Sequence, residues 1–316
     1  MSDLHYSMAH ELADGMRAEF VRNVCMPQEQ VEVVIGTMLL NGAVLLEGAP
    51  GLGKTETGKT LARMIGGRYD RIQGTPDTQP TDIIGVEVAN KATGKFEFVP
   101  GPIFSEVTLL DEINRMTPRT SAAFLQAMGE KEVTVNRQTY RTGNVVTIAT
   151  QNPHEIAAGT YPLTVAQKDR FMAGVVLPPL SDAQVIAIAD KEDNKGTVKQ
   201  VATVEQLRAV KSNIAHSIVI PSEVKNLGAA IRSEVAKSKD IDPENSSLGG
   251  ARSYMDMAAL ARIFALFRKG RTVSAEDMRR AAVYALPHRL ELSMQASIAN
   301  EKSAIDIVKA IAKNTK

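Results

Sequence analysis

The chain reads as an α/β protein, with a mainly parallel sheet covered by helices on both faces and an all-helical C-terminal third. Three observations predict this. Five short apolar, β-rich runs (Ala43–Leu46, Tyr69–Gln73, Val107–Leu110, Val145–Thr150 and Gly174–Leu177) alternate with helical patterns, and such alternation implies parallel pairing through helical crossovers. From Ser181 onward the apolar spacing changes to the 3.6-residue period of helices. Between the two patterns stands Leu-Pro-Pro-Leu-Ser-Asp, Leu177 to Asp182, whose prolines mark a boundary that divides residues 1–180 from residues 181–316.

The bulk numbers allow this organisation and remove some functions. With 316 residues, 44% hydrophobic and 23% charged, the chain can build one large domain and one smaller one. Thirty-seven basic against 36 acidic residues leave a net charge of +1, which lacks the signature of a protein that grips nucleic acid through its phosphates. The single cysteine, Cys25, has no partner for an intramolecular disulfide and fits a reducing compartment. The N-terminus lacks a basic start followed by an apolar block. The longest uncharged run, Val33 to Leu46, is broken by Gly36, Asn41 and Gly42 and falls short of the roughly 20 residues that span a bilayer. These features predict a cytoplasmic protein with no membrane insertion.

The first strand leads directly into chemistry. Gly48-Ala49-Pro50-Gly51-Leu52-Gly53-Lys54-Thr55 matches G-x-x-x-x-G-K-[ST] in full, between a predicted strand and a predicted helix. Glycines are required because successive backbone N–H groups turn inward around phosphate oxygens, where a Cβ would block them. The predicted nucleotide set is Gly48, Pro50, Gly51, Leu52, Gly53, Lys54, Thr55 and Glu56. Lys54 reaches the β and γ phosphates, the Thr55 hydroxyl meets Mg²⁺, and the following helix points its positive end at the charge.

Cleavage of a bound triphosphate also needs a carboxylate for the metal and a group that orients water. The strand Val107 to Leu110 runs into Asp111 and Glu112: Asp111 is placed to hold the Mg²⁺ shell, and Glu112 to polarise the water. The next apolar strand ends in Gln151-Asn152-Pro153. In a parallel sheet this end lies beside the phosphates, within reach of the Asn152 amide, although Asn-Pro is also a turn signal.

Two further segments alternate as hairpins, Val86 to Gly101 around Asn90–Gly94, and Lys131 to Thr142 around Asn136-Arg137-Gln138. In the helical third, Thr203-Val204-Glu205-Gln206 and Ser274-Ala275-Glu276-Asp277 read as capping boxes, and Gly270 as the end of a helix over Arg252–Lys269. Asp190 to Thr197 and Ser238 to Ser247 read as loops. The tail sets Ile305, Val308 and Ile311 on one helical stripe.

Together these residues resemble the AAA+ ATPases, a P-loop NTPase fold, and most closely the MoxR family. The resemblance covers about Glu29 to Ala312 and rests on long blocks: LLEGAPGLGKT, RIQGTPDTQPTDIIG (Arg71 to Gly85), FVPGPIFSEVTLLDEINR (Phe98 to Arg115), TSAAFLQAMGEKEVTV (Thr120 to Val135), ATQNP and GTYPL (Gly159 to Leu163). It implies ATP and Mg²⁺ as ligands, an α-helical lid, hairpins near the ring's face or pore, and a homo-hexameric ring with nucleotide at subunit boundaries. AQKDRF (Ala166 to Phe171) aligns with the segment that carries an arginine finger, which implies Arg170 as the catalytic residue given to the neighbour; Arg115 and Arg119 are further candidates for that role. LGGARS (Leu248 to Ser253) is similar to the sensor 2 segment and implies that Arg252 lies over the nucleotide.

The chain departs from the family pattern at Thr164 and Val165, which replace a proline and an acid, at Lys168, which replaces an apolar residue, and at Pro27, which replaces a glycine near the adenine pocket. By resemblance, the energy serves to remodel, activate or load cofactor into a client protein, with a von Willebrand factor A domain partner. The alternatives are a hexameric nucleic-acid motor, a metal-chelatase ATPase subunit and a nucleotide-gated scaffold. Balanced charge, an absence of Trp and 4% aromatic content disfavour a stable nucleic-acid complex.

Overall fold

The computed structural model describes residues 2–152, 160–193, 197–299 and 301–315. In chain order its elements are α1 (Ser2–Asn23), α2 (Gln28–Leu39), β1 (Ala43–Glu47), α3 (Lys54–Ile65), β2 (Tyr69–Gln73), α4 (Pro80–Ile84), β3 (Gly85–Asn90), β4 (Lys95–Pro100), β5 (Val107–Asp111), α5 (Pro118–Glu130), β6 (Glu132–Val135), β7 (Gln138–Arg141), β8 (Val146–Gln151), α6 (Val165–Lys168) and β9 (Ala173–Val176). Then follow α7 (Asp182–Asp193), α8 (Val204–Ser217), α9 (Ser222–Ala236), α10 (Arg252–Phe267), α11 (Ala275–Ala285), α12 (Met294–Ala299) and α13 (Ala304–Asn314).

Five strands form one parallel sheet in the order β2-β5-β8-β1-β9. The three central strands are almost wholly buried, which is why their sequences are continuous apolar runs, whereas β2 and β9 lie at the edges and admit exposed positions. A consequence for the site follows from the order. β8 lies between β5 and β1, so Asn152 stands between the phosphate loop and the acidic pair, with strands about 4.8 Å apart.

One face of the sheet is covered by α1, α2 and α3 in a core that continues through Leu207, Ile214, Ile231, Ile263 and Met278 into the helices of the C-terminal third. The other face carries a second core around Ile83, Ile113, Phe124 and Phe171. Both predicted capping boxes are formed, Thr203 with Gln206 and Ser274 with Asp277. The helix predicted over Arg252–Lys269 ends differently from expectation. Lys269 takes the left-handed turn (φ 63), and the Gly270 N–H donates to Ala265 O at 2.7 Å, so the glycine follows the turning position instead of occupying it. Residues 190–193 belong to α7 rather than a loop, and Asn194 to Gly196 lie outside the described residues.

Both hairpins are present. In the second, Asn136 (φ 48) and Arg137 (φ 67) are both left-handed, the two-residue turn whose twist matches antiparallel strands. The hairpins lean on each other through Phe98 and Tyr140, stacked with centroids 4.4 Å apart. Among the described residues no helix is long and apolar enough to cross a membrane.

Candidate active site

The carboxyl edge of the sheet gathers Lys54, Asp111, Glu112 and Asn152. β1 ends at Glu47, and residues 48–53 turn into α3 with left-handed backbone at Gly51 (φ 84) and Gly53 (φ 77). A Cβ at either position meets nothing within 4 Å, so the glycines serve the backbone conformation and the open cradle it makes. Lys54 Nζ donates to Gly48 O at 2.8 Å, folded across that cradle, with Thr55 half-buried behind it. The Gly48 N–H donates to Gln151 O at 3.3 Å, and the Gln151 amide donates to the Glu47 carboxylate, tying the loop to the strand that delivers Asn152.

Asp111 is buried at the end of β5. Its Oδ1 accepts from the Thr150 hydroxyl and its Oδ2 from Arg71 Nη2 at 2.7 Å. The same Thr150 oxygen accepts the Glu112 N–H at 3.0 Å, so one hydroxyl fixes both acids. Glu112 has a left-handed backbone (φ 58), a conformation that costs a non-glycine residue about 1–3 kcal/mol and clusters at working sites. It throws the carboxylate out of line with the strand, where Oε2 accepts from Gln73 Nε2 at 3.0 Å and pairs with Arg115 Nε at 3.0 Å. Gly74 is needed opposite, since a Cβ there would come within 2.3 Å of Glu112 O. Among the described residues the buried Tyr69 hydroxyl has no hydrogen-bond partner, and burial pushes its pKa up to about 12, against the pull of Arg71, so a neutral phenol stands near Asp111 and Glu56.

These residues fit a nucleotide with Mg²⁺. Among the described residues no group of three or more His, Cys, Asp or Glu is placed to hold a metal, and an ion that takes its other ligands from phosphates and water needs only one carboxylate and one hydroxyl here, Asp111 and Thr55. A small cavity of about 10 Å³, room for about one water, lies beside the loop and is lined by Cys25, Pro27, Leu52, Leu177 and Gln184. Pro27 lines this cavity and stands at the N-cap of α2.

Comparison with known proteins gives the same picture. Residues 43–173 match the family model described as "ATPase family associated with various cellular activities (AAA)", and residues 246–311 match that of the AAA lid domain. The chaperone MoxR1 of Mycobacterium tuberculosis is 32% identical over 310 residues, covering 92% of this chain and 82% of its own length. The chain belongs to the MoxR family of AAA+ ATPases. An uncharacterised protein of Bacillus subtilis, YeaC, is 33% identical over 292 residues, 89% of this chain and 88% of its own. A crystal structure of a candidate ATPase from Cytophaga hutchinsonii superposes with a TM-score of 0.88 at 28% identity, covering 99% of this chain and 97% of that one.

The two family arginines lie elsewhere. Arg170 precedes β9 at the amino edge of the sheet and donates to Ala166 O at 3.0 Å. It lines a cleft of about 590 Å³ with Asn41, Gly42, Lys131, Lys211 and Arg252. β1 has five residues, so this edge and the phosphate loop are about 16 Å apart at roughly 3.3 Å per residue. The expectation that Arg252 lies over the nucleotide does not hold for the nucleotide loop of its own chain. Arg252 pairs with Asp169 at 3.0 Å, beside Arg170, because Arg232 holds the preceding turn through Leu248 O and Gly250 O while α10 packs against α1, α2, α9 and α11. Arg115 serves Glu112 of its own chain, and Arg119 is exposed on the first turn of α5.

The departures from the MoxR pattern have local compensation. Thr164 caps α6, accepting from the Gln167 N–H while the Gln167 side chain accepts from the Thr164 N–H at 2.9 Å. Lys168 pairs with Glu291 at 2.8 Å. Pro153 and Gly159, in the ATQNP and GTYPL segments, lie outside the described residues; Tyr161 N donates to Asn114 O at 2.6 Å, which anchors the far end of that stretch beside the acidic strand. The residues that sequence reading missed are Arg71, Gln73 and Thr150. Each faces the acids from a neighbouring strand, a pairing that no local spacing announces.

Proposed function

We propose that the protein hydrolyses ATP with Mg²⁺ in pockets shared between copies arranged as a hexameric ring. Residues 1–180 carry the nucleotide and residues 181–316 serve as lid. Gly48, Pro50, Gly51, Leu52, Gly53, Lys54, Thr55 and Glu56 form the cradle. Thr55 and Asp111 would hold Mg²⁺, which when bound would neutralise charge that builds on the phosphates. Glu112 accepts the proton of a water whose oxygen attacks the γ-phosphorus, the bond to the β–γ bridging oxygen breaks, and ADP and phosphate leave. Asn152 orients that water or the γ-phosphate, while Arg170 of the next copy meets the developing charge, a contribution of about 10³–10⁵ in rate where such fingers occur. Arg252, on the same edge as Arg170, acts from the next copy as well.

One observation carries this reading: Arg170 and Arg252 share a cleft at the edge of the sheet opposite their own phosphate loop. The energy drives remodelling of a client protein in the cytoplasm, in company with a von Willebrand factor A domain partner, which accords with a relative named as a chaperone. Glu112→Gln with ATP should give six-fold particles that retain nucleotide and co-purify with protein clients. A monomer in which Glu112→Gln still turns over at the wild-type rate would refute the proposal.

A further inference from the structure

The cleft that holds Arg170 contains more positive charge than the two family arginines account for. Lys131, Arg170, Lys211 and Arg252 line it above a floor that includes Met128 and Met172. Of the four, Arg252 has a carboxylate partner, Asp169, and that acid is shared with the fully buried Arg289. Asp256, also in the cleft, is taken by Arg289 at 2.5 Å. Among the described residues Lys131, Arg170 and Lys211 have no carboxylate within ion-pair distance. Like charges brought together at a partly desolvated edge repel unless an anion arrives from outside.

Lys131 is the most constrained of them. It is half-buried, and burial, with Lys211 adding to it, pulls its ammonium down to about 8. Its side chain has one weak acceptor, Asn144 Oδ1 at 3.4 Å. The flanking Glu130 and Glu132 are exposed, and Glu130 accepts from Gln126 instead. The backbone adds an independent observation: Lys131 ends α5 in the left-handed region (φ 58), the place where helices most often carry glycine because a Cβ costs energy there. A lysine that is both strained in its backbone and desolvated in its side chain is held there against two costs.

We propose that Lys131 is a further substrate-contacting residue, whose ammonium binds the terminal phosphates of a nucleotide held by the phosphate loop of an adjacent copy, alongside Arg170. The inference rests on the shared-pocket reading above. Charge selects the occupant: three uncompensated cations within one cleft suit a compact polyphosphate with its Mg²⁺, and the carboxyl edge of a second copy presents such a group. Because Lys131 joins α5 directly to β6, its phosphate contact also acts on the root of the second hairpin.

The test compares Lys131→Gly, which removes the ammonium and relieves the backbone, with Lys131→Arg, which keeps the charge. Lys131→Gly should match or exceed the wild type in thermal stability yet lose tenfold or more in ATP turnover, and Lys131→Arg should recover most of it. Mixing Lys131→Gly with Glu112→Gln subunits should restore activity, since each Lys131→Gly subunit then has its nucleotide met by an intact neighbour. Mixtures of Arg170→Ala with Glu112→Gln form the reference.

A pH series separates contact from scaffolding. The groups facing Lys131 are Lys211 from α8, Arg170 ahead of β9, Arg252 and Asp256 from α10, and Asn144; as the Lys131 ammonium discharges above about 8, kcat/KM of the wild type should fall, and that of Lys131→Arg should not. Wild-type turnover in Lys131→Gly, or loss that Glu112→Gln cannot rescue while it rescues Arg170→Ala, overturns the role of Lys131 and leaves the shared pocket standing. Failure to rescue Arg170→Ala, or full activity of Arg170→Ala alone, overturns both.

Discussion

Glu112 is restrained as this chain stands. Two donors, Gln73 and Arg115, converge on one carboxylate oxygen, which must give up one of them before it can take a hydrogen bond from the attacking water. Gln73→Ala should therefore raise basal turnover about two- to tenfold, the worth of an ordinary hydrogen bond of about 0.5–1.5 kcal/mol and not of a fully desolvated charged one, because Glu112 is partly exposed. Steady-state kinetics decide it, and a fall in kcat would show that Gln73 instead positions the water. Thr150→Val removes the hydroxyl that serves Asp111 and the Glu112 N–H together. The expected cost is about 1–3 kcal/mol in urea unfolding, with a higher Mg²⁺ requirement for turnover. The places of Lys54, Thr55, Asp111 and Glu112 at the carboxyl edge were legible in the sequence because a strand end and a glycine-rich turn fix them by local spacing. Thr150, Arg71 and Gln73 were not, because their roles depend on which strands become neighbours.

The elements themselves were readable to within a residue where burial is two-sided. β1, β5 and β8 are apolar runs because both faces are covered, and the hairpins announced themselves by alternation and turn chemistry. Helix ends were less so: Lys269 and Lys131 adopt left-handed conformations that the residue type disfavours, and α7 continues through a polar stretch that resembles a loop. α6 is the element on which the proposed arginine finger, Arg170, depends. It has only four residues, and Thr164 with Gln167 supplies its first turn. Thr164→Ala should cost about 0.5–2 kcal/mol and lower kcat by loosening Arg170, whereas Thr164→Ser, which keeps the capping hydroxyl, should retain both. Thermal unfolding alongside single-turnover rates tests the pairing; an unchanged kcat in Thr164→Ala would separate the cap from the finger.

At the scale of the molecule, the position of Arg252 was the feature the sequence could not convey, since it depends on where the lid helices dock, a matter of long-range packing. That docking is fastened at the start of β9. His288 Nε2 meets Phe171 O at 3.0 Å, and Arg289 binds Asp169, Asp256 and Phe171 O. Two titrations at this junction oppose each other. Burial, helped by Arg289, holds His288 well below its ordinary 6.5, so as pH falls below that value the unfolded chain gains a proton that the folded protein refuses. Stability is then lost by up to about 1.4 kcal/mol per pH unit.

Burial raises Asp256 from 3.8 to about 6, with Arg289 pulling the other way; below about 6 the folded protein takes a proton that the unfolded chain does not yet bind, which returns stability as pH falls. Loss should therefore set in below pH 6.5 and flatten below 6. Urea unfolding from pH 8 to 5 should show a shallower loss in His288→Asn and a steeper one in Asp256→Asn, while surface carboxylates shared by all three proteins cancel from the comparison. If His288→Asn keeps the wild-type slope, His288 does not set the acid response, and the junction holds through Arg289 and its partners without it.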